Sequence, residues 1–196
     1  MLDKIFGKKS DTPGYTSKRL RALEGSNIAE LAATLLTAPT ALMQLSAEDA
    51  KVVVSYMQPK RIAVGTVFIK EGDAKDTGYM ILVLDGEVTV ENIVVSRTSA
   101  VTVNVLGPGS LIGEMGLVDG APRSATCTAT TDLRCAILTR SALEDLMTDE
   151  AVIGGKLMMA VCLRIAERLR DTADKLKLYS QLTQAMQQEI DKLMPT

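Results

Sequence analysis

From Leu106 to Ala129 the chain reads Leu-Gly-Pro-Gly-Ser-Leu-Ile-Gly-Glu-Met-Gly-Leu-Val-Asp-Gly-Ala-Pro-Arg-Ser-Ala-Thr-Cys-Thr-Ala, and this stretch concentrates the residue types that could grip a phosphorylated sugar. Gly113 and Gly116 let a backbone approach a ligand closely, and a short helical turn opening near Gly113 points free amides outward, where an anion is favoured. Glu114 is an acceptor suited to a sugar hydroxyl. Arg123, ten residues after Gly113, is a planar donor fork for a phosphate, and Ser124 adds a hydroxyl and an amide. A carboxylate for ribose and a guanidinium for phosphate together describe a nucleotide clamped at both ends. On spacing alone a second reading stands beside this one: Glu114 and Arg123 pair with each other across a surface loop.

The elements that must position these residues follow from periodicity. Asn27 and Glu30 stand in capping-box register ahead of a face made by Ile28, Leu31, Leu35 and Leu36, which predicts a helix ended by Pro39. Ser46 with Asp49 opens a second helix through Ala50, Val53, Val54 and Met57, stopped by Pro59. From Arg61 to Thr139 the period changes to two. Val64, Val67 and Ile69 flank a turn at Gly65, Glu71-Gly72-Asp73 makes another, and the run Tyr79 to Leu84 ends at Asp85-Gly86, a tight hairpin signal. Val88 and Val90, then Val101, Val103 and Val105, continue the alternation until Gly107-Pro108-Gly109, and Thr126 to Thr130 and Leu133 to Leu138 close the series. Many short strands with glycine punctuation predict a mainly β fold with added helices, an antiparallel roll of jelly-roll-like barrel type.

Ser141 with Glu144 predicts a short helix, and Glu150 to Leu193 a long one, interrupted at Gly154-Gly155. Along it Met158, Cys162, Ile165, Leu169, Thr172, Leu176, Tyr179, Thr183, Met186, Ile190 and Leu193 alternate steps of four and three, a heptad seam. A helix of that length spans roughly 50 Å or more at 1.5 Å per residue, which favours a dimeric coiled coil over a helix folded onto its own domain. Three segments result: a tail and helices over 1–58, the roll over 59–147, and a hinge with the long helix over 148–196. Within the first, residues 1–25, with Lys8, Lys9, Lys18, Arg19 and Arg21, read as a mobile or partner-docked lead-in whose basic cluster is a solvated tail.

Composition narrows the function. The chain of 196 residues is 46% apolar and 3% aromatic with no Trp, so its core is aliphatic and filled by Met. A net charge of −2 with interspersed signs provides no basic field for nucleic acid. The three cysteines, Cys127, Cys135 and Cys162, read as reduced thiols packed in the interior. Zero histidines rule out the usual zinc, iron and cupin centres and the His-based nucleophile pairs. No run approaches a membrane span and the opening MLDKIFGKKS has no signal-peptide core, so the expected location is the cytoplasm, with no membrane contact. No paired carboxylates or lysines near the glycine-rich stretch suggest catalysis, so the chain is not expected to be an enzyme, and neither cofactor nor metal is expected.

Gly113-Glu114-Met115-Gly116-Leu117 followed by Pro122-Arg123-Ser124-Ala125-Thr126 resembles the phosphate-binding cassette of the cyclic-nucleotide-binding domain family. That family includes the catabolite activator protein and the regulatory subunits of cAMP-dependent protein kinase. Gly72-Asp73, Tyr79 to Leu82 and Gly86-Glu87-Val88 resemble its first strands and turns, so the likeness runs in order over residues 60 to 147. It implies a β-roll in which the Gly113 amide and Glu114 hold the ribose hydroxyl, with Met115 in the same cassette. Arg123, with the Ser124 hydroxyl or the Ala125 amide, would hold the cyclic phosphate. Arg164 to Lys175 is similar to the activator's base-contacting segment, which implies that Thr172 meets the purine; Ala173 departs from that pattern and puts a contact to the partner subunit's base in doubt. The implied ligand is cAMP, or cGMP. The implied assembly is a homodimer through the C-terminal helix that signals to a protein effector. Because the chain ends at Thr196, direct DNA binding is not expected. Two other readings are a structural module that keeps the roll without a nucleotide, and a sensor of cyclic di-GMP.

Overall fold

Alternating apolar residues after Met57 fold into eight strands: β1 Gln58–Ile62, β2 Val67–Ile69, β3 Tyr79–Asp85, β4 Val88–Ile93, β5 Ala100–Leu106, β6 Leu111–Ile112, β7 Thr126–Ala129 and β8 Leu133–Thr139. In this computed structural model, which describes residues 14–93 and 100–193, they form two four-stranded sheets of order β1-β8-β3-β6 and β2-β7-β4-β5, with every pairing antiparallel. Each sheet is hydrophobic on its inner face. Ile62, Ile81 and Leu133 of the first meet Ile69, Val88 and Cys127 of the second in one apolar cluster. The β-roll predicted from sequence is present, built as two open sheets rather than one closed barrel.

Asp85-Gly86 is not a hairpin. β3 and β4 lie in different sheets, so this turn carries the chain from one to the other. A second crossing from β7 to β8 runs beside it. The Glu87 amide donates to Thr131 Oγ1 at 2.9 Å, and the Thr130 amide to the Glu87 carbonyl at 2.9 Å. Gly86 has φ +93°, and a Cβ there would lie 2.5 Å from the Asp132 carbonyl oxygen, so the glycine serves the packing of two crossings.

The helices are α1 Gly14–Leu23, α2 Asn27–Leu36, α3 Ala47–Val54, α4 Glu114–Asp119, α5 Arg140–Asp149 and α6 Ala151–Leu193. Part of the expected lead-in is therefore helical, and Arg19 lies over the Tyr56 ring at 4.3 Å; Lys8 and Lys9 fall outside the described residues. The N-cap of α2 is Ser26, accepting from the Ala29 amide, rather than Asn27. That of α5 is Thr139, accepting from Ala142, rather than Ser141. Ser46 caps α3 through the Asp49 amide, as its spacing predicts. Both α2 and α3 stop before the prolines expected to end them, at Leu36 and Val54, and Pro59 lies in β1, an edge strand where its missing N–H is tolerated.

Gly154-Gly155 does not interrupt α6. A Cβ at Gly154 would lie 2.8 Å from Met147 Cγ and 3.0 Å from Met147 Cα, so the glycine lets α6 cross α5 closely while the helix continues. The first turns of α6 bury Ile153, Leu157 and Val161, and Lys156 Nζ meets Asp49 Oδ2 of α3 at 2.9 Å in a buried ion pair. The Tyr56 hydroxyl donates to Asp149 Oδ2 at 2.9 Å, a second tie at the α5–α6 junction.

The chain divides into two units, Met1–Val161 and Cys162–Thr196. The second is the remainder of α6, with Leu169, Leu176, Tyr179, Met186, Ile190 and Leu193 each about half or more exposed along the predicted seam. Cys127 and Cys135 are buried as expected, whereas Cys162 is exposed. Among the described residues, no helix is long and apolar enough to cross a membrane.

Candidate functional site

The glycine-rich stretch folds into β6, the short helix α4 and the segment leading to β7. Gly113 is the N-cap of α4 in the left-handed conformation, φ +82°, a geometry that disfavours any side chain. A Cβ at Gly113 would lie 2.6 Å from Arg123 Nη1, and one at Gly116 would lie 2.7 Å from the Thr77 carbonyl oxygen and 2.9 Å from the same Nη1. In this structure the space the two glycines create is taken by the guanidinium of Arg123.

Arg123 is fixed from both ends. Its backbone is locked to the turn at Gly72, whose amide donates to the Arg123 carbonyl at 2.8 Å, while the Arg123 amide donates to the Asp73 carbonyl at 2.9 Å. Its side chain is 6% exposed; Nη1 donates to the Gly113 carbonyl at 3.1 Å, and Nη2 to those of Asp76 at 3.0 Å and Tyr79 at 3.1 Å. The guanidinium carbon lies 4.3 Å from the centre of the Tyr79 ring, a cation–π contact. Nε is buried and has no partner among the described residues, which makes it the unanswered donor of the fork. Burial pushes the Tyr79 phenol above its ordinary pKa, and the neighbouring guanidinium offsets part of that rise.

The other sequence candidates sit close by along the chain. Glu114 opens α4 and is 2% exposed, so its carboxylate belongs to the interior of the cassette rather than to a surface loop. Met115 is 46% exposed. Ser124 is exposed and Ala125 half-buried, directly after the arginine. Among the described residues neither the Ser124 hydroxyl nor the Ala125 amide has a hydrogen-bond partner, so both donors are available beside Arg123. Thr172 belongs to the second unit, where its hydroxyl donates to the Arg168 carbonyl at 2.8 Å along the helix.

Sequence reasoning missed two residues of the cassette. Tyr79 carries the ring under the guanidinium and donates its hydroxyl to the Phe68 carbonyl at 3.0 Å, yet in sequence it is only the first residue of a strand. Arg140 donates from Nη2 to the Gly116 carbonyl at 3.1 Å and from its amide to the Gly78 carbonyl at 2.7 Å, tying α4 to the start of α5. Nothing local in the sequence signals either role, because both partners are distant along the chain.

A buried guanidinium thus stands under a glycine N-cap and a buried glutamate opens the same helix, in a two-sheet antiparallel roll. Residues 59–150 match the model of the family described as the cyclic nucleotide-binding domain. The cAMP-dependent protein kinase regulatory subunit of Candida albicans is 31% identical over 153 residues, covering 77% of this chain and 31% of its own length. The solved cyclic nucleotide-binding domain of Methylobacillus flagellatus superposes with a TM-score of 0.65 at 28% identity, covering 77% of this chain and 83% of that one. The regulatory domain of Toxoplasma gondii PKA, solved with cAMP, gives a TM-score of 0.54 at 28% identity, covering 61% and 44%. The chain spans less than a third of the Candida subunit.

Proposed function

We propose that this chain is a regulatory protein that senses a cyclic purine nucleotide, cAMP first and cGMP second, in the cassette around Gly113 and Arg123. The carrying observation is the Arg123 side chain, buried to 6% exposure with Nε unpaired, next to two unclaimed donors on Ser124 and Ala125. A cyclic phosphate would answer those donors with charge-assisted bonds, and Glu114 with the Gly113 amide would take the ribose hydroxyl. Thr172 is assigned to the base. Binding changes the arrangement of α6 about the α5–α6 junction, because a ligand shifts such an equilibrium only through its differential affinity for the two states. The exposed seam from Leu169 to Leu193 supports pairing with a second copy, and the event passes to a protein effector in the cytoplasm without catalysis. Isothermal titration with cAMP and with cGMP tests the reading; no heat at millimolar nucleotide rejects it.

One observation favours a second reading. Both Nη atoms of Arg123 are already satisfied by backbone carbonyls, so the cassette holds together without a ligand, as a structural module that binds no nucleotide would require. Full effector binding by an Arg123→Lys variant, together with silent titrations, would establish that alternative.

A further inference from the structure

Helix α2 buries only part of the face its sequence suggests, Leu36 fully and Leu35 in part. Ala32, Ala33 and Leu36 point into the core, which leaves Ile28 49% and Leu31 38% exposed, one turn apart on the outer side. These two side chains and Leu84 of β3 form the apolar part of a cavity of about 290 Å³. Its rim carries Lys60 and Arg61 of β1 and Arg134 of β8. Arg134 is answered by Asp85, Nη2 to Oδ2 at 3.2 Å. Among the described residues Lys60 and Arg61 have no ion-pair partner. β1 is the edge strand of its sheet, so no further strand lies beyond the two cations. Arg61 pairs with Arg134 in register and shares its face of the sheet, whereas Lys60 lies opposite Cys135 on the other face of β1, so in a protein of net charge −2 the unanswered Arg61 and the Arg134 guanidinium border the exposed aliphatic side chains.

We propose that this groove docks an acidic segment of a partner protein that inserts aliphatic anchors against Ile28, Leu31 and Leu84. Single exposed charges contribute little to affinity, but a uniform sign around an apolar floor selects the partner's sign and steers its approach. The cavity is at the small end of the range for whole small-molecule ligands, about 300–1,000 Å³, and suits a few anchoring side chains. The chain's own opening MLDKIFGKKS does not complement it, since it holds Lys4, Lys8 and Lys9 against Asp3. The groove is also separate from the cassette. Tyr79 lies under Arg123 while Leu84 lines the groove, and five residue steps along β3 set them roughly 17 Å apart. The inference therefore does not rest on the nucleotide reading.

Panning a random-peptide library against the full chain tests it. Enriched peptides should combine Asp or Glu with Leu, Ile or Val. Their affinity should fall about fivefold in the Arg61→Glu variant, and it should fall with added salt. Arg61 is exposed, so folding should be unchanged, and circular dichroism checks this. Ile28→Ser with Leu31→Ser should weaken the same peptides. No enrichment, enrichment without acidic bias, or peptides indifferent to the charge reversal would overturn the proposal. So would a charge reversal that alters only the oligomeric state, which would make the groove a contact between copies, or only binding to vesicles of anionic lipid.

Discussion

Replacing Arg123 by Ala should destabilise the protein even when no nucleotide is present. The guanidinium donates three hydrogen bonds to backbone carbonyls of Gly113, Asp76 and Tyr79, and it covers one face of the Tyr79 ring. Hydrogen bonds from a charged donor contribute about 1.5–3 kcal/mol each, but the three share one group and Nε is unpaired, so they do not add. A loss of about 3 kcal/mol is the expected result, read as a lower urea midpoint at unchanged slope. Arg123→Lys keeps the charge but not the fork, and should fall between Ala and the parent protein. The same assay in saturating cAMP separates structure from binding. A hundredfold excess over Kd stabilises the parent by about 2.7 kcal/mol, and this increment should vanish in Arg123→Ala. An Arg123→Ala protein as stable as the parent without ligand would show that the guanidinium is not seated in the cassette, and would refute the account of Gly113 and Gly116 as the space it fills.

Three further outcomes follow from particular contacts. The buried Lys156–Asp49 pair should behave non-additively in urea denaturation: Lys156→Met alone should cost about 3–5 kcal/mol, and Lys156→Met with Asp49→Leu less, because the single change leaves the buried Asp49 carboxylate without its ammonium. Cys162 lies at a seam position and is exposed in the single chain, so its labelling by a maleimide, followed by mass spectrometry, should slow as protein concentration rises if α6 pairs with a second copy; a concentration-independent rate would refute that pairing. Burial pushes the Cys135 thiol up to about 11, with Lys60 offsetting part of the rise. The folded state therefore holds the thiol proton more tightly than the unfolded state. This contribution to stability is complete below pH 9 and is lost as pH rises through 11, so thermal melts should show a decline across that window that is absent in Cys135→Ala.

Local chemistry was legible in the sequence and distant pairing was not. Ser46 and Asp49 stand three apart, and the N-cap they announce is present. The cassette could be read for the same reason, since Gly113, Glu114 and Arg123 fall within one short stretch and their types limit what they can bind. Asp85-Gly86 carries a hairpin signature, but turn chemistry specifies only the reversal of the chain; which strand lies beside β3 is decided by β8, 54 residues away in the pair Leu82 with Ala136. Ile28 and Leu31 follow helical periodicity and yet lie outside the core, because the small side chains of Ala32 and Ala33 let α2 pack closely on its other face. Gly154 looks like a helix breaker in isolation, and only the position of Met147 reveals it as a close-packing residue.

The seat of Arg123 bears on how strongly any nucleotide could bind. A phosphate that drew both Nη atoms away would have to offset three carbonyl bonds and the strain of leaving those carbonyls unanswered, which would lower the affinity by the free energy of unseating. A phosphate that met only Nε, the Ser124 hydroxyl and the Ala125 amide would leave the three carbonyl bonds in place and would answer a buried donor that lacks a partner among the described residues, at the cost of parting the atoms that cover Nε. The second geometry costs less, and it leaves the guanidinium in contact with Tyr79 and with the turn from Asp73 to Thr77. On this account β3, which carries Tyr79, and the segment ahead of β7, which carries Arg123, would stay fixed on binding, and the free energy of binding would be directed to α4 and the elements tied to it through Arg140.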